Sequence, residues 1–179
     1  VQDAFVRDLV RSVTTRISLA TGGGQADGNS LVHGLSADGR HVALESSATN
    51  LVTGDNNARN DVFVHDRVTR ETTRVSRSST GAEGNNGSTT PSISADGRIV
   101  AFVSGASNLV TDDTNGAPDV FMHDRSSGET RRVSLGLGGV NANGASINAA
   151  VSADGRYVAF RSAATNLVVG DTTAAFDAF

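Results

Sequence analysis

Ser94-Ala95-Asp96-Gly97-Arg98-Ile99-Val100-Ala101-Phe102-Val103-Ser104 decides the fold: it reads as a tight turn feeding a strand with apolar residues on both faces. Asp-Gly is the dipeptide that best supplies the positive φ angles of a short hairpin turn. The residues that follow lack the in–out alternation of a sheet with one wet face, so both faces need cover. Working outward, Pro91-Ser92-Ile93-Ser94 reads as the preceding strand. A long polar loop, 105–118, leads to Asp119-Val120-Phe121-Met122-His123-Asp124. A second turn at Ser126-Ser127-Gly128 precedes Glu129-Thr130-Arg131-Arg132-Val133-Ser134-Leu135. Four strands joined consecutively predict an antiparallel meander.

The unit recurs without insertion or deletion. Asp-(Ala/Val)-Phe begins at Asp3, Asp61, Asp119 and Asp177, a constant step of 58 residues, and Ser-Ala-Asp-Gly-Arg begins in phase at Ser36, Ser94 and Ser152. A strict period of this kind means stacked copies of one supersecondary unit, none able to bury its apolar surface alone. The repeats are 3–60, 61–118 and 119–176, forming one array over 1–179. Meander sheets that need cover on both sides pack face to face, and their twist arranges them radially. The expected fold is all-β, a β-propeller of four-stranded antiparallel blades. A β-helix needs shorter rungs, and a sandwich keeps no such period. Residues 3–19 supply third and fourth strands, and 149–160 supply first and second strands with Asp177-Ala178-Phe179 begun beyond. Propellers typically close with about four to eight blades. The expectation is therefore an excerpt of a longer chain or self-association through the terminal half-blades, with two copies making a six-bladed ring.

Composition narrows the function classes. The net charge is −4, all 15 basic residues are Arg, and aromatics make up 4%. That leaves neither the basic field nor the stacking platforms nucleic acid requires. No apolar run approaches the roughly 18 residues of a membrane span, so no membrane insertion is expected. Cysteine is absent, which removes disulfide and thiolate chemistry. That fits either compartment, though cysteine-free repeat chains rich in Asn, Thr, Ser and Gly are common outside the cell.

Ser-Ala-Asp-Gly-Arg followed by Tyr157-Val158-Ala159-Phe160, then Asp-Val-Phe-Val-His-Asp-Arg and Thr-Thr-Arg-Val-Ser, resembles the TolB-like, WD-repeat-like β-propeller repeat of bacteria. The resemblance covers essentially the whole chain in three in-phase copies. Trp is absent, so neither the Trp-Asp pair of true WD repeats nor the Trp of the sialidase Asp-box is present. The repeat exceeds the usual blade of about 40 residues because two loops are extended. The resemblance implies a bacterial envelope setting, extracellular or periplasmic, without transferring a particular partner. Similar propellers also sit beside α/β-hydrolase domains in peptidases and form some polysaccharide lyases.

In an up-down meander the two tight turns lie on one side and the two long connections on the other. Binding residues gather on long loops, so the long-loop face is the candidate surface for a protein or glycan partner. Its second-to-third loop carries Asp55, Asn57 and Asp61, then Asp113, Asn115 and Asp119, then Asp171 and Asp177, with Thr173 in place of the amide. Oxygen ligands at alternate residues resemble the start of a calcium loop, and calcium is the one cofactor considered. The same residues also suit Asx-turns that close a long loop; both readings stay open. His65 and His123 share a strand position with Arg7, which suits a structural hydrogen bond better than a metal or a general base. His33 and His41 are single events and read as surface variation. Asp8, Asp66 and Asp124 recur in every copy, as do Arg16, Arg74, Arg132 and Arg40, Arg98, Arg156. They are expected to pair between strands or blades. Asn50-Leu51-Val52 and its copies read as a loop anchor. No nucleophile elbow, zinc helix or phosphate loop is present. The expected function is a non-catalytic binding or scaffold module. The rival readings are the propeller portion of a larger hydrolase, peptidase or lyase, and a self-assembling ring or filament.

Overall fold

The computed structural model describes all of Val1–Phe179, as four antiparallel sheets in chain order. The first holds β1 (Phe5–Asp8) and β2 (Val13–Arg16). The second is the meander β3 (Ser30–Leu35), β4 (His41–Ser46), β5 (Asp61–Asp66) and β6 (Glu71–Arg74). The third repeats it as β7 (Ser88–Ile93), β8 (Ile99–Ser104), β9 (Asp119–Asp124) and β10 (Glu129–Arg132). The fourth has β11 (Ser146–Val151), β12 (Val158–Ser162) and β13 (Asp177–Ala178). The single helical turn, Leu137–Gly139, is a 3₁₀ turn bent at Gly138. Two sheets are complete blades; the outer two are a half blade and a three-stranded blade.

The sheets pack face to face because their middle strands are apolar on both sides. In the second sheet, Val42, Leu44 and Phe63 meet Ala4, Val6 and Ile17 of the first. On its other face, Val62, Val64 and Val75 meet Val100, Phe102 and Phe121 of the third. Ala101, Val103 and Val120 then pack against Ala149 of the fourth. Phe102 and Phe121 stack at 5.9 Å with no solvent exposure; burying each contributes about 1.5–3 kcal/mol. The outer sheets lack a neighbour on one flank. Phe5, the counterpart of the buried Phe63 and Phe121, is consequently 50% exposed.

First strands β3, β7 and β11 lie beside one another, which makes them the inner strands of a radial stack. Each is pinned at both ends to the adjacent blade. Ser30, Ser88 and Ser146 donate N–H bonds to the carbonyls of Gln2, Asn60 and Pro118. Ala37 donates to Ala95, and Ala95 to Ala153. These are identical contacts one repeat apart, the nearest-neighbour coupling a repeat array needs.

Three local details differ from the sequence expectation. The Asp-Gly turn is not a two-residue hairpin turn with two positive φ angles: only Gly39, Gly97 and Gly155 are positive, at 69°, 73° and 72°. The Asp side chain takes over part of the turn, as Asp96 Oδ1 accepts from Ser94 Oγ and from the Arg98 N–H. The first strand starts at Ser88 rather than Pro91, and its register shifts between Thr89 and Ser92. The shift recurs between Val32 and Gly34 and between Ile147 and Ala150, so the bulge belongs to the repeat, and Pro91, with no N–H to give the ladder, fits within it, with Thr90 at φ 49°. The fourth strand stops at Arg132, because Leu135 N–H turns back to the Val133 carbonyl.

Candidate functional site

The two long connections, 47–60 and 75–87, leave the same end of the second blade, and their counterparts do so in the third. Asn50, Asn108 and Asn166 each tie a second-to-third loop to the connection that enters the same blade. Asn50 Nδ2 donates to the Gln25 carbonyl at 2.7 Å while its Oδ1 accepts from Asp27 N–H at 3.0 Å. Leu51 and Leu109 beside them are buried, as the anchor reading expects, with Val52 and Val110 partly so. Two equivalent grooves open between these connections, one repeat apart. The first, ≈ 490 Å³, is lined by Thr21, Thr53 and Thr72; the second, ≈ 630 Å³, by Ser79, Thr111 and Thr130.

The acidic loop residues converge on a guanidinium. Asp55, Asp61 and Glu83 place carboxylate oxygens within 4.8 Å of one another. Arg74 Nη1, projecting from β6, lies 3.3 Å from Asp55, 3.5 Å from Asp61 and 2.7 Å from Glu83. The cation among these oxygens is therefore the protein's own, and an ion in that position has to displace it. Asn57 Nδ2 donates to Asp61 at 2.9 Å, and Asn57 Oδ1 closes an Asx-turn on Arg59 N–H. Burial, then the Asp61 charge, pushes Asp55 up to about 6 against the pull of Arg74. Burial likewise raises Asp61 and Asp113.

The next copy repeats the arrangement with one member missing. Arg132 Nη1 lies 3.2 Å from Asp113 and 3.6 Å from Asp119, and Asn115 Nδ2 donates to Asp119. Asn141 stands where the first copy has Glu83, and beside its shorter neutral side chain Arg132 Nε and Nη1 and its own Oδ1 are buried without a hydrogen-bond partner. Asp171 makes an Asx-type bond to Thr173 N–H, and Asp177 lies exposed on β13.

Two of the repeated charge pairs form as expected, while Asp8 meets Arg11 in its own turn and Arg156 lies over the Tyr157 ring. Arg40 grips Asp66 through Nε and Nη2 at 2.7–3.0 Å, and Arg98 holds Asp124 in the same way. Each pairing holds its carboxylate well below the usual range. His65 Nδ1 lies 2.9 Å from Thr72 Oγ1, and that hydroxyl donates to the Leu19 carbonyl. With its one hydrogen committed, Thr72 has to accept from the ring, so Nδ1 carries the proton. His123, Thr130 and the Arg77 carbonyl repeat the chain. In the first sheet Arg7 donates to Thr14 at 2.9 Å. Arg and His interchange here because both donate to the same threonine.

His41 is more than surface variation, whereas His33 stays exposed on β3. His41 is packed beside Asp66 at 3.6 Å with Nδ1 buried and unpartnered. His33 Nε2 faces Glu45 Oε2 at 3.4 Å. Glu45 Oε1 accepts from Asn60 Nδ2 at 2.9 Å, and Oε2 accepts from Thr90 N–H at 3.1 Å on the neighbouring blade. The sequence signal for this cluster was its departure from the repeat. At the positions of His33, Glu45 and Asn60 the next copy has Pro91, Val103 and Pro118.

No protein-family model matches the chain, and no curated protein matches it in sequence. Solved structures do match in fold. TolB from Acinetobacter baumannii superposes with a TM-score of 0.51 and 19% identity over 88% of this chain and 31% of that one. The tricorn protease gives a TM-score of 0.54 and 15% identity over 90% of this chain and 13% of that one. The chain thus spans under a third of the length of either structure. The architecture is the TolB-like β-propeller fold, built of meander blades.

Proposed function

We propose that the chain is part of a non-catalytic β-propeller binding module, working outside the cytoplasm, that recognises a protein, glycan or envelope component through its long-loop face. The carrying observation is the pair of equivalent hydroxyl-lined grooves that the long connections form, one repeat apart. Equivalent grooves at fixed spacing favour an extended or multivalent ligand, whose second contact is intramolecular once the first is made. The residues most suited to acid–base chemistry are committed elsewhere. Asp66 and Asp124 are gripped by arginines, and His65 and His123 by threonines.

The test uses the whole chain against a glycan array and a displayed peptide library. Binders selected there are then measured against Thr53→Ala and Thr111→Ala on the long-loop face and Arg70→Ala and Ser127→Ala on the tight-turn face. Loss of affinity with the first pair alone supports the reading; loss with the second pair alone refutes it.

A further inference from the structure

We infer that the inner mouth of the long-loop face, at Glu45, holds a pocket for an alkyl-ammonium group such as a lysine side chain supplied by a partner. The inference rests on the long-loop binding reading and names the ligand chemistry of one part of that face.

Charge accounting singles out Glu45. The buried carboxylates are Glu45, Asp55, Asp61, Asp66, Asp113, Asp119 and Asp124. Asp55 and Asp61 share Arg74, Asp113 and Asp119 share Arg132, Asp66 has Arg40 and Asp124 has Arg98. Glu45 alone has no arginine. Its side chain is 11% exposed, and its only basic neighbour is His33 at 3.4 Å, which compensates the charge only when protonated. A buried carboxylate without a countercharge is costly, and this chain pairs every other one.

The space beside it is built for a small amphipathic cation. A pocket of ≈ 200 Å³ is lined by Gln2, Asn29, Leu31, Glu45, Ser47 and Asn60. Leu31 lies opposite Glu45 across the β3–β4 ladder and is 40% exposed, an apolar wall for methylenes next to a carboxylate for an ammonium. Amides and a hydroxyl supply further acceptors. A hard divalent cation is served less well, because calcium sites combine several carboxylates and here there is one. An anion is repelled by Glu45.

The pocket also breaks the repeat. Asn29, Leu31, Glu45, Ser47 and Asn60 give way in the next copy to Gly87, Thr89, Val103, Gly105 and Pro118, and then to Ala145, Ile147, Arg161, Ala163 and Phe176. Packing devices in this chain obey the 58-residue step, whereas this polar set occurs once. No lysine occurs among these 179 residues, so the side chain that would fill the pocket lies outside them.

The test is a titration of the isotope-labelled chain with N-acetyl-lysine methylamide, followed by backbone amide shifts, with N-acetyl-norleucine methylamide as the uncharged isostere. Saturable shifts at Leu31, Ser47 and Asn60 are expected with the lysine compound alone. Glu45→Gln, which keeps a group of the same shape, is expected to weaken binding at least about tenfold through loss of a charge-assisted bond. Glu129→Gln, at a part-exposed carboxylate paired with Arg131 on β10, is expected to leave it unchanged. Equal binding of the isostere, equal binding by Glu45→Gln, or no shift at saturating solubility overturns the inference. Library binders that remain sensitive to Thr53→Ala but indifferent to Glu45→Gln defeat this pocket while leaving the long-loop face standing.

Discussion

Acid should loosen this protein through His123 before it reaches the carboxylates. His123 is 1% exposed, and burial, reinforced by the Arg77 charge, lowers it from 6.5 to about 4. In the unfolded chain the imidazole binds a proton below about 6.5; in the fold it resists until about 4. The folded state therefore binds fewer protons across that window. The stability tied to this neutral ring is fully present above 6.5 and is lost as the pH falls. At about 1.4 kcal/mol per pH step, the loss between about pH 7 and pH 5 comes to about 2 kcal/mol. Asp55 acts the other way. Raised from 3.8 to about 6, it favours the fold at low pH and gives back about 1 kcal/mol over the same interval. His65 lies with His123, while Asp61 and Asp113 lie with Asp55. A whole-protein pH curve therefore mixes opposed contributions, and a single substitution separates them. His123→Gln keeps a donor for Thr130 Oγ1 and cannot titrate. Urea unfolding of both proteins at about pH 7 and pH 5 should show the wild type losing about 2 kcal/mol relative to the variant on acidification. Parallel losses would refute the reasoning, because they place the acid sensitivity elsewhere.

Arg74→Ala strands three carboxylates and should cost about 3–5 kcal/mol. If the guanidinium serves as the cation of that cluster, millimolar calcium should leave the wild-type melting temperature unchanged and raise that of the variant; a wild-type response would show that calcium binds despite Arg74. Asn141→Glu restores to Arg132 the carboxylate that Glu83 gives Arg74 and should raise the urea midpoint, by about 1 kcal/mol in free energy; a lowered midpoint contradicts the equivalence of the two clusters. Phe102→Ala removes one member of a buried aromatic pair and should cost about 3–5 kcal/mol, measured by the same unfolding. Gly97→Ala combines a φ of +73° with a Cβ driven into the His41 ring. It should destabilise more than the ordinary cost of about 1 kcal/mol for an alanine forced to positive φ, and a neutral result would mean the turn relaxes freely.

The regular parts of this molecule were open to a reader of its residues. Val100, Phe102 and Phe121 announce a sheet that must be covered on both sides, and the 58-residue step announces how it is covered. The Arg98–Asp124 pair was legible as well, since both partners recur in phase and Arg98 immediately precedes Ile99, which lies opposite Asp124 in the register. The start of the strand around Pro91 was hidden by a bulge that every copy carries, with His33 and Ala149 at the matching positions. The interchange of Arg7 with His65 and His123 pointed to a structural donor, but Thr14, Thr72 and Thr130 emerged only when the strands were paired.

Alternation and turn chemistry are local and periodic, so residues a few positions apart carried the meander, its stacking and its repeated ion pairs. The charge centres belong to another class. Arg74 reaches Asp55 and Glu83 from separate connections, and Glu45 gathers Asn60 from 15 residues away and Thr90 from 45, on the adjacent blade. Loop paths have no period, and contacts between blades depend on how two sheets are rotated against each other. Only the folded chain decides, therefore, which buried carboxylate receives an arginine and which is left facing an open pocket.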